Sequence, residues 1–252
     1  MKKIFCLLSL SIVIILFFHP EIYAKEPMKF AYFSDYKPYS WKADNGKMYG
    51  IIIDILDECL HNRMGIDITH TGYPWARAQL FVKVGSADAF VTIPTPERKT
   101  YTIISSEPVI TGKATIFTYV NNPKIKKLSA VQSFSDLKPF KQIQYIGNGW
   151  AKKNFKGMNV RWVPTLTDVL DRLVTGNYDY FADSTWVVGY NIRALGYQNR
   201  IVELEDVVLS RESFYLCISK KSLFIKIIPG FDKAIRGMRK DGTLEKIYNK
   251  YR

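Results

Sequence analysis

Two α/β lobes, each a mainly parallel sheet flanked by helices and joined by a two-segment hinge, are what this sequence predicts. The first observation behind this is an echo. Leu80–Phe90 reads LFVKVGSADAF and Leu173–Phe181 reads LVTGNYDYF: the end of an amphipathic helix, then Gly-x-x-Asp, then a short apolar strand. The second is a β-α-β-α-β order from Lys29 to Val91, which favours a parallel sheet with right-handed crossovers. The third is a restart. A β-branched run at Val109–Val120 leads out of the first pattern, a second pattern follows, and Phe214–Ser219 leads back. Residues 25–112 with 214–252 then form one lobe, and residues 113–213 form a lobe inserted into it.

In chain order, Met1–Ala24 reads as a leader. Lys2 and Lys3 precede the apolar run Ile4–Phe18, and Ile22-Tyr23-Ala24 offers a cleavage site. The apolar core is shorter than the roughly 18–20 residues that span a bilayer. A retained anchor is the competing reading, against which Pro20 stands directly after the run. Cys6 lies inside the run, away from the end where a lipid-modified cysteine belongs. A mature chain exported to the periplasm by a cleaved signal peptide is expected.

Lys29–Phe33 is the first strand, and Asp44-Asn45-Gly46 marks a hairpin-like turn. Gly50–Arg63 spaces Ile51, Ile52, Ile55, Leu56 and Cys59 as a helix does. Ile66–Thr71 alternates as a strand, Pro74 opens a helix that Gly85 ends, and Ala87–Val91 is the next strand. In the inserted part, Gln142–Ile146 and Val160–Val163 read as strands. Gly147-Asn148-Gly149 turns into a helix at Trp150–Phe155, and Thr165 or Thr167 caps the helix Asp168–Val174. Strand Tyr178–Ala182 ends at Asp183, and Ser184–Leu195 reads as helical. After Phe214–Ser219, helices are expected from about Leu223 to Arg239 and at Leu244–Tyr251.

The full chain of 252 residues has a net charge of +13; losing two lysines and Glu21 with the leader leaves +12. The basic residues are scattered, with no run interleaving aromatics, so a solvated basic surface is expected and nucleic acid is not a partner. Cys59 and Cys217 sit among apolar neighbours and read as buried thiols, with a disulfide as the alternative that export would permit. His61 and His70 are isolated; no metal-ligand spacing and no cofactor motif is present.

With the elements in place, the chain resembles the bacterial extracellular solute-binding proteins of family 3, the amino-acid-binding type. The residues that carry this are Tyr36-x-Pro38-Tyr39-Ser40-Trp41, Gly50-x-x-x-Asp54, Gly85-x-x-Asp88, Thr95-Pro96-Glu97-Arg98, Gly176-x-x-Asp179 with Asp183, and Asp241-Gly242-Thr243-x-x-x-Ile247-Tyr248-x-Lys250-Tyr251. Each is weak alone; in family order along nearly the whole mature chain they are specific. The resemblance implies a periplasmic-binding type II fold whose lobes close over a small ligand, as a monomer serving an ABC permease or a membrane receptor. It implies that Arg98 grips a ligand carboxylate, Asp183 receives an ammonium, and Tyr39 or Trp41 forms an aromatic wall. It also implies that the turn Gly147–Trp150, with Asn148, Gly149 and Trp150, presents backbone N–H groups to the carboxylate.

The chain departs from the family before Arg98, where Val91, Thr92, Ile93 and Pro94 leave Thr92 as the hydroxyl donor. Pro74-Trp75-Ala76-Arg77 is also distinctive, and adds Trp75 and Arg77 as cleft candidates. Structural alternatives stand beside each role. Arg98 could be a surface arginine after a proline turn, Asp183 a helix cap, the tryptophans packing residues, and Arg77 a partner of a helix-face acid. The expected function is capture of a small carboxylate-bearing solute without catalysis. The alternatives are a cyclohexadienyl-dehydratase-like enzyme on the same fold, or a ligand-presenting partner of a membrane sensor.

Overall fold

The computed structural model describes residues 26–251; the expected leader lies outside them. The chain starts with β1 (Met28–Phe33) and a small three-stranded hairpin sheet of β2 (Asp35–Tyr36), β3 (Ser40–Lys42) and β4 (Met48–Tyr49). Helix α1 (Ile51–Leu56) continues as a π-helical segment, Asp57–Arg63, with Ile51, Ile52, Ile55, Leu56 and Cys59 all buried. Then come β5 (Ile68–Tyr73), α2 (Trp75–Val84), β6 (Ala89–Thr92) and α3 (Pro96–Tyr101). Pro74 is the N-cap of α2, and Gly85 closes it at φ 86°, a conformation in which a side chain is strained.

The second half holds α4 (Ile125–Ser129), β8 (Gln142–Tyr145), α5 (Gly149–Asn154), β9 (Val160–Val163), α6 (Leu166–Leu173), β10 (Phe181–Ser184), α7 (Thr185–Ala194) and β11 (Ile201–Leu204). Thr165 and Asp168 form a capping box that starts α6, each accepting the other's backbone N–H. The two halves are joined by β7 (Thr102–Tyr119) and β12 (Ser210–Ser219), and α8 (Ile228–Lys240) and α9 (Thr243–Asn249) complete the first half.

The sheet order is β10-β7-β12-β6-β1-β5, with β11 also on β7. Parallel pairing occurs where crossovers were expected: β1 with β5 and β6, and β8 with β9. The joining strands make the sheet mixed. β7 is 18 residues long and runs antiparallel to β10, β11 and β12. Its reach beyond the β-branched run follows from its partners, since β12 supplies a hydrogen-bonding edge back to Thr102. Such an edge comes from the distant strand, so neither its extent nor β11 was visible in local pattern.

The echoed Gly-x-x-Asp segments do the same job in each half. Asp88 donates its N–H to the Lys29 carbonyl at 2.8 Å, and its carboxylate accepts the Lys29 N–H at 2.8 Å. Asp179 donates to the Lys141 carbonyl at 2.8 Å and accepts the Lys141 N–H at 2.8 Å. Each aspartate thus staples the entry of its own strand to the start of another. Asp179 is 7% exposed and also binds the Lys124 ammonium at 2.8 Å. Asp179→Ala removes the acceptor of that N–H in a part-buried setting and should destabilise the fold by about 1–3 kcal/mol. A urea midpoint equal to that of the parent protein would show the staple to be dispensable.

The cores follow the sheet faces. Phe30, Ile51, Ile55, Leu216, Phe231 and Ile235 pack together under α1 and α8, while Ala31, Ala78, Val82 and Phe90 pack under α2. In the second half, Ile116, Leu128, Ala151 and Tyr180 form one cluster, and Phe117, Ile143, Leu170, Phe181 and Val188 another. Trp186 breaks the segregation: it starts α7 yet packs in the core of the first half. Cys59 and Cys217 are both buried and unbonded, and burial pushes both thiols up to about 12.

Candidate functional site

A cavity of ≈ 230 Å³ opens where the two halves meet at β7 and β12. The first half contributes Tyr36 and Tyr39, the joining strands Gly112, Lys113 and Glu212, and the second half Tyr145, Asn148, Gly149, Trp150, Asp183 and Ser184. Strand register explains much of this. Asp183 lies on β10 opposite Thr115, and Glu212 on β12 lies opposite Gly112. Gly112 is required here by close approach, because a Cβ would sit 2.9 Å from the Tyr39 hydroxyl. That hydroxyl is in turn 3.1 Å from Ser184 Oγ, a direct contact between the halves.

Asp183 is 9% exposed and well supplied with donors. Asn148 Nδ2 donates to Oδ2 at 3.0 Å, the Ser184 N–H donates to Oδ1 at 2.6 Å, and the Tyr145 hydroxyl also hydrogen-bonds it. Asn148 works in two directions, since its Oδ1 caps α5 by accepting the Ala151 N–H at 2.9 Å. Burial pushes the Asp183 carboxyl up to about 6; its three donors oppose this, and the charge of Glu212 adds to it. Burial also raises Glu212, with Lys153 opposing. A carboxyl raised in the fold contributes stability that is present below its ordinary pKa and lost as pH rises through about 6. Ionised Asp183 is therefore a cost to the empty protein that a cation in the cleft offsets.

The basic group at the cleft is turned away. Lys113 Nζ pairs with Glu203 at 3.2 Å and donates to the Glu205 carbonyl at 2.8 Å, behind the hinge. Two carboxylates, bordered by Tyr36, Tyr39 and Trp150, are left to meet a ligand, an arrangement suited to a cation.

Arg98 lines a neighbouring cavity of ≈ 270 Å³ together with Trp75, Thr92 and Phe214. Its Nε and Nη2 donate to Gln79 Oε1 at 3.1 and 3.0 Å, Nη1 donates to the Ile93 carbonyl at 2.7 Å, and the guanidinium lies 5.2 Å from the Trp75 ring centroid. Tyr36 lines both cavities and so stands between Arg98 and Asp183. It belongs to an aromatic file in which Phe33, Tyr36, Tyr39 and Phe214 stack in turn, with centroids 5.9, 4.9 and 4.9 Å apart.

Of the residues singled out from sequence, Tyr39, Asn148, Gly149, Trp150 and Asp183 share the cleft, and Trp75, Thr92 and Arg98 share the adjoining cavity. Trp41 and Arg77 line neither. Trp41 packs with Tyr49, Tyr190 and Tyr251, away from the cleft, because it sits on β3 opposite Tyr49 whereas Tyr39 lies in the preceding turn. Arg77 lies on the exposed face of α2, 6.0 Å over Phe81, and has no acidic partner among the described residues. Tyr36 of the Tyr-x-Pro-Tyr motif, not among the residues singled out from sequence, lines both cavities. Glu212 and Tyr145 carried no local signal; strand register alone brings them to the cleft.

The chain belongs to the bacterial extracellular solute-binding proteins, family 3, whose family model matches residues 28–252. Its fold is that of the type II periplasmic binding proteins. An ancestral cationic amino acid solute-binding protein, AncCDT-1, is 24% identical, with a TM-score of 0.70 over 89% of this chain and 95% of that one. Another structure of AncCDT-1, described as a precursor of cyclohexadienyl dehydratase, is 25% identical, with a TM-score of 0.62 over 89% and 94%. Substrate-binding domain 2 of GlnP from Lactococcus lactis, in its open conformation, is 20% identical, with a TM-score of 0.70 over 90% and 96%. No curated protein matches the chain. Among the described residues no helix is long and apolar enough to cross a membrane.

Proposed function

We propose that this is a periplasmic solute-binding protein that captures a cationic amino acid between its lobes and delivers it to an ABC importer. The observation that carries the reading is the contrast between a basic chain and an acidic cleft. Net charge is +13, yet the cleft offers Asp183 and Glu212 while Lys113 is paired to Glu203. In this reading one carboxylate takes the α-ammonium and the other the side-chain cation, with the stem against Tyr36, Tyr39 and Trp150. Arg98 and Thr92 take the α-carboxylate from the far side of Tyr36, through N–H groups that Gln79 and Ile93 leave free. The description of AncCDT-1 as a cationic amino acid binder agrees with this ligand class. Each charged hydrogen bond adds about 1.5–3 kcal/mol, and micromolar capture needs about 8 kcal/mol. Cleavage of the leader after Ala24, a monomeric mature form, and lobes divided at residues 113 and 213 belong to the same proposal.

The test is mass spectrometry of ligand released by denaturing freshly purified protein, with a thermal-shift screen of amino acids and organic acids. Cationic amino acids should raise the melting temperature as RT ln(1 + [L]/Kd) requires. A shift given only by neutral or acidic solutes would overturn the cationic assignment.

Binding should also depend on pH. L-Lysine keeps its charge between about pH 5 and 8, whereas Asp183 takes up a proton as pH falls through about 6. Its Kd should rise below that point by up to about tenfold per pH unit. Calorimetric titrations across that range check this, and a flat profile would separate Asp183 from the ligand.

One observation favours a second reading. A buried carboxyl raised to about 6 that faces a cavity is placed as a general acid should be. A dehydratase acting on prephenate or arogenate is the reaction class it would serve, and direct assay of both substrates decides it.

A further inference from the structure

A second cavity, of ≈ 520 Å³, lies behind the hinge, walled by α7, by Glu203 and Glu205 at the end of β11, and by Tyr251. Lys113 touches both cavities: its ammonium sits in the rear one, on Glu203. We propose that this rear cavity is a separate binding site for a zwitterion bearing a flat apolar group, such as an aromatic amino acid.

The charges of its walls argue for that class. Arg193 donates from Nη2 to the Tyr251 carbonyl and has no carboxylate partner among the described residues. It is a half-buried cation, lowered from its ordinary pKa by desolvation. A planar guanidinium with free N–H groups in such a setting suits a carboxylate. Across the cavity, Glu205 is exposed and has no ion pair among the described residues, while Glu203 spends its charge on Lys113. An anion alone would face the unpaired Glu205, and a cation alone would face Arg193. A zwitterion satisfies both. The rings of Trp186, Tyr190 and Tyr251 supply flat apolar walls.

The position makes such a site more than a surface hollow. Helix α7 begins directly after Asp183 and Ser184, so one segment leads from the cleft into the rear wall. Its Trp186 donates to the Thr111 carbonyl on β7 at 3.4 Å and packs on Tyr248 at 5.3 Å. An occupant held by Arg193, Glu205 and Tyr251 would touch residues of both halves.

The test is a calorimetric titration of the mature protein with L-phenylalanine, repeated on Arg193→Gln, Glu205→Gln and Asp183→Asn. One saturable site is expected. Its Kd should rise by about tenfold or more in the first two variants and stay within about twofold in Asp183→Asn. No saturable binding up to the solubility limit would overturn the proposal. So would a Kd unchanged in the rear variants, or a loss that follows Asp183→Asn. Because Arg193 also contacts the Tyr251 backbone, Glu205→Gln and Glu205→Lys, at an exposed position, carry the test if Arg193→Gln does not fold. Binding of L-lysine, measured separately, reports on the cleft, so failure there is distinguishable from failure here.

Discussion

Asp183→Asn should weaken the binding of L-lysine by about 2–4 kcal/mol, roughly 30- to 1,000-fold, the cost of removing one partner from a desolvated charge pair. The substitution keeps shape and size while removing the charge that Asn148, Ser184 and Tyr145 converge on. The empty protein should respond in the opposite sense. The parent loses stability as Asp183 ionises between about pH 4 and 7, and the asparagine variant lacks that loss. Melting curves at the two ends of this range therefore pair with the affinity measurement. Weak binding without the change in pH response would point to a disturbed cleft instead of a missing charge.

Arg98→Ala is the second large effect. As the proposed carboxylate clamp, Arg98 should cost about 2–4 kcal/mol of amino-acid affinity when truncated. It also bridges Gln79 on α2 to the Ile93 carbonyl, so about 1–2 kcal/mol of fold stability goes with it. Arg98→Lys separates the two roles: it keeps the charge but cannot present two parallel N–H groups to a carboxylate. Affinity lost in both variants supports the clamp. Affinity unchanged in both would leave Arg98 as the residue that pins α2 and α3 beside Trp75.

The fold was legible because its punctuation is chemical. Gly85 at a left-handed helix end, Thr165 with Asp168 at a helix start, and Asp88 and Asp179 at strand entries announce themselves by residue type. The joining strands were harder. The chain leaves along β7 straight through Gly112 without turning, and β11 is specified by an edge that another strand supplies. The site divided along the same line. Asp183 and Asn148 stand at strand and helix ends, where short-range pattern points. Glu212 is on the cleft because residue 212 pairs with residue 112, a fact of register with no trace in its neighbours. Trp41 lies away from the cleft for a related reason: it pairs with Tyr49 across β3 and β4, while Tyr39, two residues earlier, belongs to the turn before the strand.

The unbroken run of β7 through both halves bears on how the molecule works in time. Eighteen residues of one strand, laddered to β12, make a continuous connector whose register shifts on either side of Tyr215. Bulges bend a strand and raise its local twist, so the Tyr215 step is where the connector departs from a straight ladder. Under the proposed function, closure of the lobes would flex that step, whose Tyr215 pairs with Thr92 on β6.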